Sequence, residues 1–216
     1  MDNLLQDIIE EVVRRVKDEA FIEVEASGRH VHLTREHIEI LFGEGHELTR
    51  IKDLSQPGQY AYKERVTISG PRGKIDNVVV LGPPRNETQV EVSFTDALVL
   101  GSIPPVKLSG DLENTPEITI STERASIALN RGLMVAKRHI HMTPEDAIKF
   151  GVSNNESVKV KVLGKRPLIF DDVIVRVSKD YRTFMHIDYD EANACGFSKG
   201  TFALIVGKDE NNNLRY

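Results

Sequence analysis

The sequence predicts a mainly β protein with a few short α-helices, arranged as two similar halves behind an N-terminal amphipathic helix. Short segments that alternate apolar and polar residues recur along most of the 216-residue chain. Such alternation is typical of strands with one buried face. An octapeptide also occurs twice in nearly the same form, at 29–36 and 138–145. An internal repeat favours two domains of roughly 100 residues each over one large domain.

The first twenty residues differ from the rest because their apolar residues recur at helical spacing. These residues are Leu5, Ile8, Ile9, Val12, Val13, Val16 and Ala20. The spacing predicts one amphipathic helix over residues 1–20. Such a helix could dock on the core of this chain or on a partner subunit, or it could be a detachable docking peptide for a larger assembly.

Beyond residue 20 the apolar residues have period two, and turn sequences such as Gly70-Pro71-Arg72-Gly73 separate the segments. The predicted strands are centred on 22–26, 66–68, 78–80, 90–94, 118–120, 158–162, 173–177 and 202–206. Regularly spaced short strands are typical of a barrel or a sandwich.

Three short helices interrupt the predicted strands. Two follow Thr34 and Thr143, which are expected N-caps, and end near Phe42 and Phe150; the third covers residues 190–194. The Gly- and Asn-containing stretch 109–116 is the predicted linker between the halves. We therefore expect an extension at 1–20, a first half at 21–115 and a second half at 116–216.

The composition excludes several classes of protein. No apolar run approaches the roughly 20 residues of a membrane span, so we expect a soluble protein without a membrane partner. The net charge is −5 without a Lys/Arg block, which argues against nucleic-acid binding. The single cysteine, Cys195, cannot form an intrachain disulfide, and the acidic N-terminus does not resemble a secretory signal. A cytoplasmic location is expected.

Four of the seven histidines lie in the repeated octapeptide, as His30 and His32 in the first copy and His139 and His141 in the second. On a strand, residues i and i+2 point to the same face, so each copy offers two adjacent imidazoles. Imidazole is the commonest metal ligand in proteins. The repeat therefore predicts a metal site, or a site for two metals.

Three further residues are candidates for the same chemistry. His186 lies on a predicted strand and is either a core residue or the third nitrogen that a catalytic zinc site needs. Glu91 lies on the polar side of the segment 89–93 and is either a carboxylate ligand or part of a solvated face. Arg85 follows a rigid Gly-Pro-Pro turn and either binds phosphate or an oxyanion, or is an ordinary loop arginine. Cys195 is a poor candidate nucleophile because no histidine is near it in the sequence.

The first histidine pair also matches part of a cupin metal motif, His30-x-His32-x3-Glu36-x6-Gly43. That motif needs its glutamate on a strand, whereas Glu36 falls in the first turn of a predicted helix. A cupin-like metalloenzyme remains an alternative.

Six stretches resemble the phosphate propanoyltransferase family, the PduL-type phosphotransacylases. They occur in order at 27–33, 54–59, 81–85, 88–93, 138–142 and 185–193. The departures are small: Phe94 stands where a basic residue is frequent in the family, and Lys137 where a small residue is frequent.

The resemblance implies two small β-barrels capped by short helices, with the first strand exchanged into the second barrel, and two zinc ions between the barrels. Carried over by position, one zinc would be held by His30, His32 and Glu91, and the other by His139, His141 and His186. Arg85 would contact phosphate. The implied reaction interconverts a propanoyl- or acetyl-CoA plus phosphate with the acyl phosphate plus coenzyme A.

The resemblance also bears on partners and location. Some members of this family act inside bacterial microcompartments and are packaged by an N-terminal amphipathic extension, so residues 1–20 could bind a shell protein or core enzymes. A homo-oligomer is expected. The alternative function is that of an inactive metal-binding adaptor, which would predict a missing ligand or a missing Arg85.

Overall fold

The computed structural model describes residues 21–208 together with Gln6 and Val12, which are both helical and exposed. The predicted helix over residues 1–20, apart from these two positions, lies outside the described residues. None of the helices in the described part of the chain is long and apolar enough to cross a membrane.

The described residues form strands and short helices in the following order: β1 (Ile22–Ser27), β2 (His30–His32), α1 (Arg35–Phe42), β3 (Arg50–Asp53), β4 (Tyr60–Ser69), β5 (Lys74–Gly82), β6 (Gln89–Val92), α2 (Phe94–Leu100), β7 (Val106–Lys107), β8 (Ile118–Ser121), β9 (Ser126–Leu129), β10 (Leu133–Ala136), β11 (His139–Met142), α3 (Pro144–Phe150), β12 (Ser157–Val162), β13 (Leu168–Val177), β14 (Phe184–Asp188), α4 (Tyr189–Cys195) and β15 (Phe202–Lys208). The predicted fold class, mainly β with short helices, is confirmed.

The chain divides into two compact units. The sheet unit comprises Ser27–Lys137 and Asp188–Asp190, and the barrel unit comprises, within the described range, residues 21–26, 138–187 and 191–208. The boundary expected at residues 115 and 116 falls inside the sheet unit, because β8 pairs with β4 and β10 pairs with β6. The predicted linker at 109–116 likewise belongs to the sheet unit.

The barrel unit contains a closed barrel with the strand order β1-β14-β11-β13-β12-β15. The first strand belongs to this barrel although the other five come from the C-terminal part of the chain. Alternate residues of the strands fill the core, among them Val24, Ile140, Val160, Val175 and Met185. The period-two pattern therefore reflects one buried face on each strand.

The sheet unit contains a nine-stranded sheet with the order β7-β10-β6-β2-β5-β4-β8-β9, and β3 pairs with β4. Its core is a separate cluster that includes Val31, Leu41, Val80, Val90 and Ile120. Each unit thus has its own hydrophobic core.

The repeated octapeptide occupies equivalent positions in the two units. Strand β2 pairs in parallel with β5 and antiparallel with β6, and β11 pairs in parallel with β13 and antiparallel with β14. A helix follows each of these central strands. The N-caps of these two helices are Thr34 and Thr143. Each threonine side chain accepts a hydrogen bond from a backbone N–H of the first turn. Helices α1, α3 and α4 agree with the prediction.

Helix α2 was not predicted, and Phe94, expected at the end of a strand, is its first residue. The helix begins here because Ser93 and Asp96 form a capping box, in which each side chain pairs with the backbone of the other residue. Helix α2 starts three residues after Glu91, and α4 starts three residues after His186. In each unit, therefore, a short helix also follows the strand that carries Glu91 or His186.

Candidate metal centres

The predicted ligands lie on the strand faces that point away from the two cores. Val31 belongs to the core of the sheet unit, so His30 and His32 point to the opposite face of β2. Ile140 belongs to the core of the barrel unit, and His139 and His141 point away from it in the same manner. The HxH spacing on a half-buried strand is therefore what brings each pair together.

The sheet centre consists of His30, His32 and Glu91. Glu91 lies directly across from His30 on β6, and its Oε2 is 3.3 Å from Nε2 of His30. One ligand atom from each residue lies within 4.8 Å of the others. All three residues are buried, so Glu91 is not on a solvated face.

A hydrogen-bond network holds Glu91. Its Oε1 accepts from Nε2 of Gln89 at 2.6 Å and from Oγ of Ser109 at 2.8 Å. Ser109 in turn accepts a hydrogen bond of 2.9 Å from Nη1 of Arg85. The His30 ring is also oriented, because its Nδ1 donates to the carbonyl of Gly28 at 2.8 Å. These contacts leave Oε2 of Glu91 and Nε2 of His30 facing each other.

The pKa values in the sheet centre favour the metal-binding forms of two of its three residues. Burial raises the pKa of Glu91, but the charge and hydrogen bond of His30 outweigh this and hold that pKa well below its usual value. Burial, followed by the charge of His30, holds the pKa of His32 well below its usual value. A metal ligand must be an anionic carboxylate or a neutral imidazole, and Glu91 and His32 are in those forms. Burial lowers the pKa of His30, but the charge and hydrogen bond of Glu91 outweigh this and raise it, so a metal would displace a proton from His30.

The barrel centre consists of His139, His141 and His186. His186 lies directly across from His139 on β14, and the three ring centroids are 4.6 to 5.2 Å apart. One ligand atom from each ring lies within 4.8 Å of the others. Burial and the nearby charges of His139 and Arg176 lower the pKa of His141 to about 3, so His141 is neutral at physiological pH.

Two further side chains support the barrel centre. The ring of Tyr181 lies 4.2 Å from the ring of His141, centroid to centroid. Oε2 of Glu25 lies 3.6 Å from Nδ1 of His186. A carboxylate next to one ring nitrogen favours a proton there and leaves the other nitrogen free to bind a metal.

Two buried nitrogens test whether a metal fits. Among the described residues, Nδ1 of His32 and Nδ1 of His141 are the buried side-chain nitrogens or oxygens that have no hydrogen-bond partner. A buried polar atom without a partner costs about 1–3 kcal/mol, and one such atom lies in each cluster. One zinc ion in each cluster would satisfy these atoms. The donor sets, two histidines with a glutamate and three histidines, are those of catalytic zinc sites with a fourth position left open.

The first arginine of each octapeptide and the single cysteine have structural roles. Arg29 pairs with Asp96 at 2.8 Å and Arg138 with Glu191 at 2.8 Å. Cys195 is buried in the barrel core, where burial raises the pKa of its thiol; a buried neutral thiol is a poor nucleophile.

The remaining histidines lie outside both clusters. His37 hydrogen-bonds Thr88 and His46 contacts Glu64. Glu36, the glutamate of the cupin pattern, is exposed on α1, and the carboxylate that joins the first histidine pair is Glu91.

Two contributors to the sheet centre were missed in the sequence. Ser109 lies in the stretch predicted to be a linker, and nothing in its local pattern indicates a site. Gln89 was recognisable only as a polar neighbour of Glu91 on the same strand face. Their roles depend on the strand pairing that brings residues 89, 91 and 109 together.

Comparison with known proteins gives a consistent result. The family model for phosphate propanoyltransferase matches residues 23–198. A phosphate propanoyltransferase of Clostridioides difficile (strain 630) is 67% identical over 208 residues, which cover 96% of this chain and 100% of that protein. One of Enterococcus faecalis is 58% identical over 204 residues, covering 94% of this chain and 97% of that protein. The chain belongs to the phosphate propanoyltransferase family of acyltransferases.

Proposed function

We propose that this protein interconverts a short-chain acyl-CoA plus phosphate with the corresponding acyl phosphate plus coenzyme A, using two zinc ions. Propanoyl and acetyl groups are the expected acyl groups. The observation that carries the proposal is the pair of three-residue clusters, one with and one without a carboxylate, in a chain of this family. The inactive-adaptor alternative predicted a missing ligand, and all seven candidate residues are present.

The chain's own residues would hold the two ions. His30, His32 and Glu91 would hold one, and His139, His141 and His186 the other. Zinc bound in such sites would supply Lewis acidity toward the sulfur and phosphate oxygens of the reactants, since zinc binds both soft thiolate and harder oxygen ligands.

The reaction itself requires one bond to form and one to break. An oxygen of phosphate attacks the acyl carbon, and the carbon–sulfur bond breaks as the thiolate of coenzyme A leaves. Arg85 would neutralise negative charge on the phosphate or on the oxyanion of the tetrahedral intermediate. No covalent bond to the enzyme is needed, which is consistent with the buried thiol of Cys195.

We assign different substrates to the two centres. The sheet centre would face the sulfur of coenzyme A, and the barrel centre would face phosphate. The anionic Glu91 already offsets charge at the sheet centre, whereas the barrel centre has only neutral imidazoles as ligands and so has the greater affinity for an anion.

The experiment is metal analysis of the purified protein combined with an assay of thiol release. Acetyl-, propanoyl- and butanoyl-CoA are each tested with and without phosphate. The proposal predicts two zinc ions per chain and thiol release that depends on phosphate. Release at the same rate without phosphate would indicate a thioesterase instead.

We further propose that residues 1–20 direct the protein into a bacterial microcompartment and that it acts there as a homo-oligomer. A fluorescent protein fused behind residues 1–20 tests the first point in a compartment-forming host. Punctate fluorescence is expected, and a diffuse signal would contradict the packaging role. Sedimentation of the full chain tests whether the protein is a homo-oligomer.

A further inference from the structure

Arg176 lies beside the barrel centre on strand β13. It is the register partner of His141 on the neighbouring strand β11. Val173 and Val175 fill the core, so Arg176 shares the outward strand face with the histidines. Its Cζ is 6.0 Å from the centre of the Tyr181 ring, which lies against His141. The guanidinium therefore belongs to the surroundings of this centre.

The charge of Arg176 has no anionic partner in the described part of the chain. The side chain is half-buried, its Cζ lies over the Tyr181 ring, and its charge acts on the neighbouring His141. Arg29 and Arg138, by contrast, both bind carboxylates. A guanidinium has five N–H donors in a planar fork that matches a carboxylate or a phosphate. A half-buried position without such a partner is suited to an anion from solution.

The duplication shows that the architecture does not require an arginine here. Strand β5 is the counterpart of β13, and the residue that pairs with His32 is Leu81. The same arrangement of strands is thus built with a leucine in one unit and an arginine in the other. The third residue of the cluster also differs between the units, being the anionic Glu91 in the sheet centre and His186 in the barrel centre. At these two positions the barrel centre has one negative charge fewer and one positive charge more than the sheet centre.

One carboxylate contacts a barrel ligand, but it does not pair with Arg176. Glu25 contacts Nδ1 of His186, and no ion pair between Glu25 and Arg176 exists among the described residues. At the sheet centre, Arg85 already donates to Ser109, which is bound to Glu91. Arg85 is thus engaged within the sheet unit, whereas Arg176 belongs to the same unit as the barrel ligands and binds no carboxylate among the described residues there.

We propose that Arg176 contacts the phosphate substrate at the barrel centre and sets the affinity of the enzyme for it. This inference rests on the proposed function. Two parallel N–H···O bonds from one guanidinium to one phosphate are the expected mode of contact. Arg85 would act on the charge that develops on the phosphate or on the oxyanion during the reaction, so the two arginines should affect different kinetic constants.

The test uses the zinc-loaded protein and the variants Arg176→Met and Arg176→Lys. Arg166→Met is the matched control, because Arg166 is an exposed arginine of the same unit. Binding of inorganic phosphate is measured by calorimetry in the absence of acyl-CoA. The zinc content and the KM values for phosphate and for propanoyl-CoA are measured on the same samples.

Arg176→Met should weaken phosphate binding and raise the KM for phosphate by about 10- to 100-fold, the usual range for a hydrogen bond to a charged group. The KM for propanoyl-CoA and the zinc content should stay the same, and Arg176→Lys should be intermediate. Arg166→Met should match the wild type.

Three results would overturn the inference. Unchanged phosphate binding in Arg176→Met is one, and absence of phosphate binding by the wild type is another. Loss of zinc together with phosphate affinity is the third, since it would make Arg176 a support of the metal site. Phosphate-independent thiol release would instead refute the proposed function, and the calorimetry would still decide the role of Arg176.

Discussion

At the scale of single residues, the sheet centre is organised by the two oxygens of Glu91, which have different roles. Oε1 accepts hydrogen bonds from Gln89 and Ser109, and Oε2 faces His30. Glu91 is therefore held so that one oxygen is available to a metal. Partners of metal ligands often matter nearly as much as the ligands themselves, because they fix the ligand's orientation.

Replacing Ser109 with alanine removes one of the two donors to Oε1 of Glu91. Ser109→Ala should weaken zinc binding at the sheet centre by about 10-fold and leave the barrel centre unchanged. Competition with a chelator, followed by zinc analysis, measures both sites. Ser126→Ala, at an exposed serine of the same unit, is the control. Equal zinc affinity in both variants would show that Ser109 does not position Glu91.

Replacing Arg85 with alanine tests the assigned role of its guanidinium. Arg85→Ala should keep its zinc but lose about 10²–10³-fold in kcat, the usual effect of removing one electrostatic stabiliser of a transition state. The KM for phosphate should change much less than in Arg176→Met. Steady-state kinetics with metal analysis separates the two effects. A wild-type rate would make Arg85 an ordinary loop arginine.

At the scale of elements, the histidine pair of each unit lies on a central strand between a parallel and an antiparallel neighbour.

The duplicated sequence predicted helices α1 and α3 because both copies have a threonine N-cap. It could also have predicted α2, since Ser93-x-x-Asp96 is a capping signal and α4 occupies the equivalent place. The sheet order and the pairing of β8 with β4 and of β10 with β6 were not predictable, because strand pairing is a long-range property that local patterns do not encode.

The loop between α1 and β3 is attached to strand β4 through Glu64. Both carboxylate oxygens lie 3.0 Å from the backbone nitrogen of Thr49, and Oε1 contacts His46. Burial raises the pKa of Glu64, but these hydrogen bonds outweigh it and lower the pKa below its usual value. The ionised carboxylate therefore stabilises the folded state.

Glu64→Gln should reduce the free energy of unfolding at pH 7 by about 1.5–3 kcal/mol, the range for hydrogen bonds to a charged group. A lowered folded-state pKa means that this stabilisation is present above the unfolded pKa and is lost as the pH falls through the folded pKa. The difference between wild type and variant should thus shrink below about pH 4.5. Urea denaturation at pH 7 and at values below about pH 4.5 measures this difference in the free energy of unfolding. Glu117→Gln is the control at an exposed glutamate. A difference independent of pH would exclude the ionised carboxylate as its source.

At the scale of the whole molecule, one architecture occurs twice with different chemistry. In both units a central HxH strand lies next to the strand that carries the third residue of the cluster. That residue is Glu91 in one unit and His186 in the other. The residues of both clusters could be predicted from the repeat and from the family resemblance. Ser109, Gln89 and Arg176 could not, because their roles depend on contacts between strands and loops far apart in the sequence.

We propose that one reaction requires both centres. Zinc stoichiometry and phosphate-dependent thiol release, measured together on the wild type, His30→Ala and His139→Ala, test it most directly. We predict two zinc ions per wild-type chain and about one in each variant, with phosphate-dependent release abolished in both. Full phosphate-dependent activity in either variant after loss of its zinc would contradict the claim.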